Sequence, residues 1–296
     1  MTLTMNKTTK ISICLLLGLQ LSCDNFDRNP KTESNKIKIE SQGVNIEYDD
    51  SKLGDTTLLF VHGWNIDKSY WTDQTTFFSN KYRVVAIDLP GFGKSGKNRK
   101  SWTVENYGKD ITTVLTQLNL KNVIVIGHSM SGAIAVEAAI KNPDRIIGVV
   151  GVDNFTNFGA VQSPQEKEDV ANAYEALRTN YKQIALQYAN QSLFSPSTDS
   201  TVRKRVITDF MNADSVIAVN CLEQNDKYQT DEKLKSLKKV IYLINSNFRP
   251  TDTLGFKKNK VDYYLLNIGP TGHYPMIEKP NDFNLLLQKA IYKIGE

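Results

Sequence analysis

One serine in this chain, Ser129, lies in a context that favours nucleophilic chemistry. It belongs to Gly127-His-Ser-Met-Ser-Gly132, which follows a short apolar run and precedes a helical stretch rich in small residues. A strand, a sharp turn with serine at its tip and a helix form a nucleophile elbow, which strains the serine backbone and exposes its hydroxyl. The positions two before and two after the serine must be small. Gly127 meets this requirement, and Ser131 stands where glycine is usual.

A histidine near the C-terminus is the candidate base for this serine. A serine hydroxyl is a weak nucleophile until a general base removes its proton. The chain has three histidines, of which His62 lies upstream of the elbow and His128 adjoins the serine, so that its side chain points away along the turn. His273 alone follows the serine, in a Gly/Pro-rich loop after the strand-like run 261–266. The pattern predicts that His273 is the base.

The elements that must position these two residues are short apolar runs separated by helical stretches. A hairpin is predicted over residues 37–48, and further strands are predicted at 58–61, 84–87, 123–126, 146–152, 240–244 and 263–266. Near-continuous apolar strands that alternate with helices indicate an α/β fold, with a mostly parallel sheet and helices on both faces. Helices are predicted over Thr103–Leu118 and Asn281–Ile294.

The alternation of strands and helices is interrupted once, between Val152 and Val240, where the sequence is polar and helix-patterned. We predict a helical cap over residues 155–235, inserted after the sixth strand. Residues 37–154 and 236–296 then form the α/β core. The cap would lie over the edge of the sheet where ligands bind in open α/β folds.

Composition and charge argue against a nucleic-acid partner, and the sequence lacks a complete dinucleotide-binding motif. Hydrophobic residues make up 40% and charged residues 23% of the chain, and the net charge is +4. These values are typical of a globular protein, and no basic cluster indicates a nucleic-acid partner. Gly91-Phe-Gly-Lys-Ser-Gly96 matches a dinucleotide-binding pattern, but a polar loop follows it instead of the required helix. We therefore expect no cofactor, and no metal site.

The N-terminal segment has the features of an export signal. Lys7 and Lys10 precede the apolar run 11–21, which is too short to span a bilayer, and Ser22-Cys23 follows it. The segment resembles the lipobox of bacterial lipoproteins. We predict a signal peptide over 1–22, a lipidated Cys23, a tether over 23–36 and a location in the cell envelope as a lipid-anchored membrane lipoprotein. A plain cleaved signal, giving a secreted or periplasmic protein, is the alternative.

Four ordered motifs resemble the α/β-hydrolase superfamily, in its esterase-like branch with a helical cap. They are Val61-His-Gly-Trp64, Ala86-Ile-Asp-Leu-Pro-Gly-Phe-Gly-Lys-Ser95, the elbow, and Thr271-Gly-His-Tyr-Pro275. The resemblance covers residues 57–153 and 238–287. It implies an oxyanion hole formed by the backbone N–H groups of Trp64 and Met130. Serine at the elbow distinguishes the chain from the dehalogenase and epoxide-hydrolase branches, which have aspartate there.

The sequence offers two candidates for the acid that should orient His273. Many relatives carry it after the penultimate strand, where this chain has Asn247 and Phe248, and Asp252 comes late. In the other arrangement, as in some haloalkane dehalogenases, the acid follows the strand after the nucleophile helix. Asp153 occupies that position. We prefer Asp153 as the acid, with Asp252 as the alternative.

These observations predict a carboxylesterase-like serine hydrolase that cleaves an ester, or a related acyl bond, of a small molecule through an acyl-enzyme on Ser129. Carbon–carbon hydrolase, amidase and perhydrolase activities remain open, as does the oligomeric state. The alternative is an anchored ligand-binding protein on a degenerate hydrolase scaffold, because fold does not determine function.

Overall fold

The computed structural model describes residues 36–296. The predicted signal peptide, Cys23 and all of the predicted tether except Lys36 lie outside the described residues. Within the described range, no helix is both long enough and apolar enough to cross a membrane.

The described chain is built on a seven-stranded sheet with strand order β3-β5-β4-β6-β7-β8-β9. The strands are β3 (Tyr48–Asp50), β4 (Thr57–Val61), β5 (Arg83–Ile87), β6 (Val123–His128), β7 (Ile146–Val152), β8 (Ile241–Asn245) and β9 (Tyr263–Asn267). Only β3 pairs antiparallel in this sheet, and every other pairing is parallel. The predicted α/β fold with a mostly parallel sheet is confirmed.

The predicted N-terminal hairpin is present, but its second half is divided into two strands that belong to two different sheets. β1 (Ile39–Ser41) pairs antiparallel with β2 (Val44–Ile46). The chain then continues into β3, which pairs with β5 of the main sheet. The sequence pattern did not separate β2 from β3, because both have alternating apolar residues.

Outside the segment between β7 and β8, helices alternate with the strands of the sheet or follow the last strand. They are α1 (Thr72–Phe78), α2 (Val104–Gln117), α3 (Ser131–Lys141), α9 (Leu254–Asn259), α10 (Pro275–Glu278) and α11 (Pro280–Gly295). All residues of β4 and β6 are buried. Burial of each valine, leucine or isoleucine side chain contributes roughly 1.5–3 kcal/mol. Thr103 is the N-cap residue of α2, since its side chain accepts from the Asn106 N–H at 3.2 Å.

Helices also occupy the segment between β7 and β8, where the sequence predicts a cap. They are α4 (Pro164–Thr179), α5 (Tyr181–Tyr188), a π-helical turn (Ala189–Leu193), α6 (Ser200–Asn212), α7 (Ser215–Lys227) and α8 (Thr230–Ser236). Ser163 and Glu166 form a capping box at the start of α4. We call residues 155–235 the cap region.

Candidate active site

Ser129 lies at the turn between β6 and α3, in a left-handed backbone conformation with φ of 54°. A non-glycine residue held in this region costs about 1–3 kcal/mol, which the surrounding structure must supply. The turn is tight, because a Cβ at Gly127 would lie 2.2 Å from the carbonyl oxygen of Ser131. The Ser129 N–H donates to the carbonyl of Val152 at 2.9 Å, which ties the turn to β7.

Ser129, His273 and Asp153 form a hydrogen-bonded chain. His273 Nε2 lies 2.8 Å from Ser129 Oγ, and His273 Nδ1 lies 2.5 Å from Asp153 Oδ2. An ionised carboxylate only accepts hydrogen bonds, so the Nδ1–H of the neutral imidazole donates to Asp153. Nε2 is then free to accept the serine proton. The three predicted residues, 120 and 144 positions apart along the chain, thus meet at the carboxyl edge of the sheet.

Asp153 follows β7 directly and is held as a carboxylate. Its Oδ1 accepts the backbone N–H of Ser246 at 3.0 Å. Burial raises the pKa of Asp153, but the hydrogen bond and charge of His273 and the Ser246 N–H outweigh it, so the pKa lies below its usual value. Asp153 therefore stays ionised at neutral pH.

Asp252, the alternative acid, lies in a different local environment. Its side chain accepts the N–H of Leu254 at 2.8 Å, at the start of α9. Its backbone N–H donates to the carbonyl of Thr156 at 2.8 Å. The carboxylate therefore stabilises its own loop, and within the described residues it forms no hydrogen bond with His273.

The turn that follows β4 lies against the elbow. A Cβ at Gly63 would be 3.2 Å from Ser129 Cβ. Within residues 36–296, neither the Trp64 nor the Met130 backbone N–H donates to a protein acceptor. Met130 precedes α3, so its N–H also belongs to the positive end of that helix dipole. Both N–H groups named in the sequence analysis thus have no protein acceptor among the described residues.

The Trp64 side chain connects this turn to the cap region. Its Nε1–H donates to the carbonyl of Ala218 in α7 at 2.8 Å. Its ring packs edge-on against Phe210, Tyr181 and Tyr188, with centroids 5.0, 6.4 and 6.2 Å away. The cap region therefore holds the indole from several sides.

Residues 269–275 around His273, which we call the base loop, are held by groups that the sequence analysis did not identify. The His273 N–H donates to the Leu193 carbonyl of the cap region at 2.8 Å. The Glu278 carboxylate accepts the N–H groups of Gly272 at 2.8 Å and Tyr274 at 3.1 Å, on either side of the base. Thr198 of the cap region donates to the same carboxylate at 2.7 Å. No local pattern indicates these contacts.

His128 forms a second link to the base loop. Its Nε2–H donates to the His273 carbonyl at 2.7 Å, and within the described residues the ring forms no hydrogen bond with Ser129. Burial, followed by the electrostatic effect of the neighbouring His273 ring, lowers the pKa of His128 to about 3. His128 is therefore neutral and serves as a hydrogen-bond donor.

Two asparagines and a serine support Asp153 at the ends of β7 and β8. Asn245 donates to the Asn154 carbonyl at 2.9 Å, and Asn154 donates to the Gly127 carbonyl at 3.0 Å. Ser246 supplies the N–H that Asp153 accepts. The run Asn245-Ser-Asn247 at the end of β8 is the feature of the sequence that could have indicated these donors.

Other parts of the described chain offer no comparable cluster. Between Lys36 and Glu296 there is no group of three or more His, Cys, Asp or Glu side chains suited to a metal ion. Cys221 is buried against the Tyr107 hydroxyl at 3.0 Å, and burial raises the pKa of its thiol to about 12. A cavity of about 940 Å³ lies between α4 and the α7–α8 segment, and its lining excludes the three residues of the hydrogen-bonded chain.

Comparisons with known proteins agree with the fold. A family model described as the alpha/beta hydrolase fold matches residues 56–214. An acetyltransferase component of the acetoin cleaving system of Cupriavidus necator is 24% identical over 258 residues, 84% of this chain and 67% of its own length. The karrikin insensitive 2 receptor CA of Petunia hybrida is 30% identical over 136 residues, 44% of this chain and half of the receptor.

Among solved structures, a thermophilic esterase from Thermogutta terrifontis superimposes with a TM-score of 0.74 at 20% identity, over 87% of this chain and 98% of the esterase. At this identity the likeness concerns the fold alone. The family model, however, covers more than half of the chain and includes the elbow and the Trp64 turn. The chain belongs to the alpha/beta hydrolase fold family.

Proposed function

We propose that this protein is a serine hydrolase that cleaves a carboxylic ester of a small molecule through an acyl-enzyme on Ser129. One observation carries the proposal, namely the continuous chain of hydrogen bonds from Ser129 Oγ through His273 to Asp153. A nucleophile, a base in hydrogen-bond contact with it and a carboxylate that orients the base are the three parts that acyl transfer requires.

In the proposed reaction Ser129 Oγ attacks the ester carbonyl while His273 Nε2 takes the hydroxyl proton. Asp153 stabilises the imidazolium that forms. The N–H groups of Trp64 and Met130 receive the oxyanion, and each such donor contributes on the order of 3 kcal/mol to lowering the barrier. His273 then protonates the departing alcohol, and water activated by the same imidazole releases the acid and restores Ser129.

A second candidate function is ligand binding on a hydrolase scaffold with little turnover. The match to a protein named as a karrikin receptor favours it, because that relative carries a receptor's name. The hydrogen-bonded chain and the two free N–H groups count against it, since a binding protein needs neither.

Covalent labelling distinguishes the two functions. A fluorophosphonate phosphonylates a serine only when a base activates it and an oxyanion hole receives its oxygen. We expect stoichiometric labelling of purified protein, with the mass increment on the peptide that contains Ser129. We also expect burst release of p-nitrophenol from p-nitrophenyl esters, and a panel of acyl lengths would define the substrate. Absence of both labelling and turnover would favour the binding function.

A His273→Ala variant should lose turnover of p-nitrophenyl esters by about 10⁵-fold or more, because among the described residues no other side chain forms a hydrogen bond with Ser129 Oγ and could take its proton. Added imidazole should restore part of the rate by occupying the vacated space, whereas a variant that had only lost stability would gain nothing. Thermal unfolding provides the control for folding. Near-normal turnover in this variant would refute the assignment of the base.

We further propose that residues 155–235 act as a cap that selects the substrate and that the mature protein is a lipid-anchored envelope protein. The first proposal is supported by the contacts of Leu193, Thr198 and Ala218 with the base loop and the Trp64 turn. The second is supported by the apolar run 11–21 followed by Ser22-Cys23.

A Cys23→Ser variant should accumulate as unprocessed precursor and lose incorporation of radiolabelled palmitate. Cys221→Ser is the matched control, since Cys221 is a buried free thiol and should leave processing unchanged. Mass spectrometry identifies the N-terminus of each variant, and the radiolabel measures its acylation. A mature N-terminus downstream of Cys23 that carries no acyl chain would support the secreted or periplasmic alternative instead.

A further inference from the structure

Ser131 stands where glycine is usual in the elbow, and its hydroxyl has a specific partner. The residue is fully buried, and its Oγ donates to the backbone carbonyl of His62 in the turn after β4. Burial of a hydroxyl group destabilises the folded protein unless the hydroxyl is hydrogen-bonded. This bond joins the first turn of α3 to the segment that precedes Trp64, across 69 residues of sequence.

The His62 side chain makes the next contact in the same turn. Its Nε2 accepts the backbone N–H of Leu89 at 2.9 Å, so that nitrogen carries no proton. The proton therefore resides on Nδ1, which donates to the carbonyl of Gly63 at 2.8 Å. Burial lowers the pKa of His62, so the ring stays neutral and keeps this tautomer.

Gly63 is the flexible point between these two anchored carbonyls. It cannot be replaced by a larger residue, because a Cβ would lie 2.5 Å from His128 Nδ1. Glycine, however, rotates easily about its backbone bonds, so the peptide on either side of it could turn over. Ser131 restrains the 62–63 peptide through its oxygen, and His62 restrains the 63–64 peptide through its oxygen.

The orientation of the second peptide determines where the Trp64 N–H points. In a trans peptide the C=O and N–H groups point in opposite directions. With the Gly63 oxygen directed at the His62 ring, the Trp64 N–H is directed away from that ring, and it has no protein acceptor within the described residues. The donor is thus oriented before any ligand arrives.

We propose that Ser131 is a positioning residue for the oxyanion hole, acting with His62 to hold the peptide that presents the Trp64 N–H. The inference rests on the proposed hydrolase function and deepens it. Glycine at position 131 has no hydroxyl, so the 62–63 peptide would then be held only by packing against the adjacent backbone. Serine adds a hydrogen bond to this peptide.

The test compares Ser131→Ala and Ser131→Gly with the parent protein, using p-nitrophenyl butyrate as substrate and a trifluoromethyl ketone as a transition-state analogue. We expect kcat to fall about tenfold in both variants, less than the roughly 10²–10³-fold loss when an oxyanion donor is removed outright. KM should change by less than about twofold, since ground-state binding needs little from the hole. Affinity for the ketone, whose adduct places an oxyanion in the hole, should fall in parallel with kcat/KM.

Ser41→Ala is the matched control. Ser41 is also buried and donates to Asp110 at 2.7 Å, in the β1 hairpin away from the elbow. We expect it to lower thermal stability with no change in kcat or ketone affinity. The inference is overturned if both Ser131 variants keep the parent kcat and ketone affinity while Ser129→Ala is inactive. If Ser129→Ala itself retains turnover, the proposed function fails and the inference fails with it.

Discussion

Replacing Ser129 with alanine is expected to lower kcat for p-nitrophenyl esters by about 10⁶-fold, close to the rate that the remaining site supports without a nucleophile. The hydroxyl lies 2.8 Å from the base, and within residues 36–296 no other side chain forms a hydrogen bond with His273 Nε2. Alanine adopts the φ of 54° at about the same cost as serine, so the fold should remain intact. Stopped-flow hydrolysis and fluorophosphonate labelling measure the loss.

The comparison variant for Ser129→Ala is Ser236→Ala. In the parent protein the Ser236 hydroxyl donates to the Lys233 carbonyl at the end of α8, and it has no other hydrogen-bond partner in the described part of the chain. This variant should keep parent kinetics and parent labelling. If Ser129→Ala were still labelled and Ser131→Ala were not, the nucleophile would have to be reassigned to Ser131. Slower labelling of Ser131→Ala alongside complete loss in Ser129→Ala agrees with both proposals made above.

An Asp153→Asn variant should lower kcat by about 10⁴-fold, the loss typical when the acid of such a site becomes an amide. The carboxylate accepts the His273 Nδ1–H, and asparagine can present its NH₂ group instead, which favours the wrong tautomer of the base. The amide also removes the negative charge that stabilises the imidazolium. Steady-state kinetics at neutral pH, with thermal unfolding as a check of folding, measure the effect.

Asp252→Asn is the matched control for this prediction, since it removes a carboxylate of the same edge that binds the Leu254 N–H instead of the base. We expect its kcat to stay within about twofold of the parent value. The reverse ranking of the two variants would move the acid to Asp252. A small effect from both would favour a Ser–His dyad, or the ligand-binding function.

Local sequence patterns determined much of the fold and two members of the candidate site. The apolar runs that became β4 to β9 predict a parallel sheet because strands buried on both faces contain few polar residues. Gly127 and Ser129 between a strand and a helix are recognisable because the steric demands of the elbow act within a few residues. His273 follows from chain order, since the sequence offers one histidine downstream of the serine.

The acid could not be determined from sequence in the same way. Asp153 and Asp252 both follow strands that end at the same edge of the sheet, and both are ordinary loop residues by local pattern. The difference arises because β7 pairs with both β6 and β8, which brings Asp153 to the N–H of Ser246 and the ring of His273. Strand order depends on the whole chain, so the local sequence around either aspartate cannot predict it.

The sequence by itself therefore determined which serine and which histidine are the candidate nucleophile and base, and the tertiary structure decided which groups hold them in place. The Ser131 hydroxyl and the His62 carbonyl are 69 residues apart, and the Leu193 carbonyl meets the His273 N–H only where the cap region packs on the base loop. Such hydrogen bonds depend on how two segments dock and impose no periodicity on either segment. These hydrogen bonds form, and stabilise the protein, only after the sheet and the cap region have packed. The local sequence pattern therefore cannot predict them.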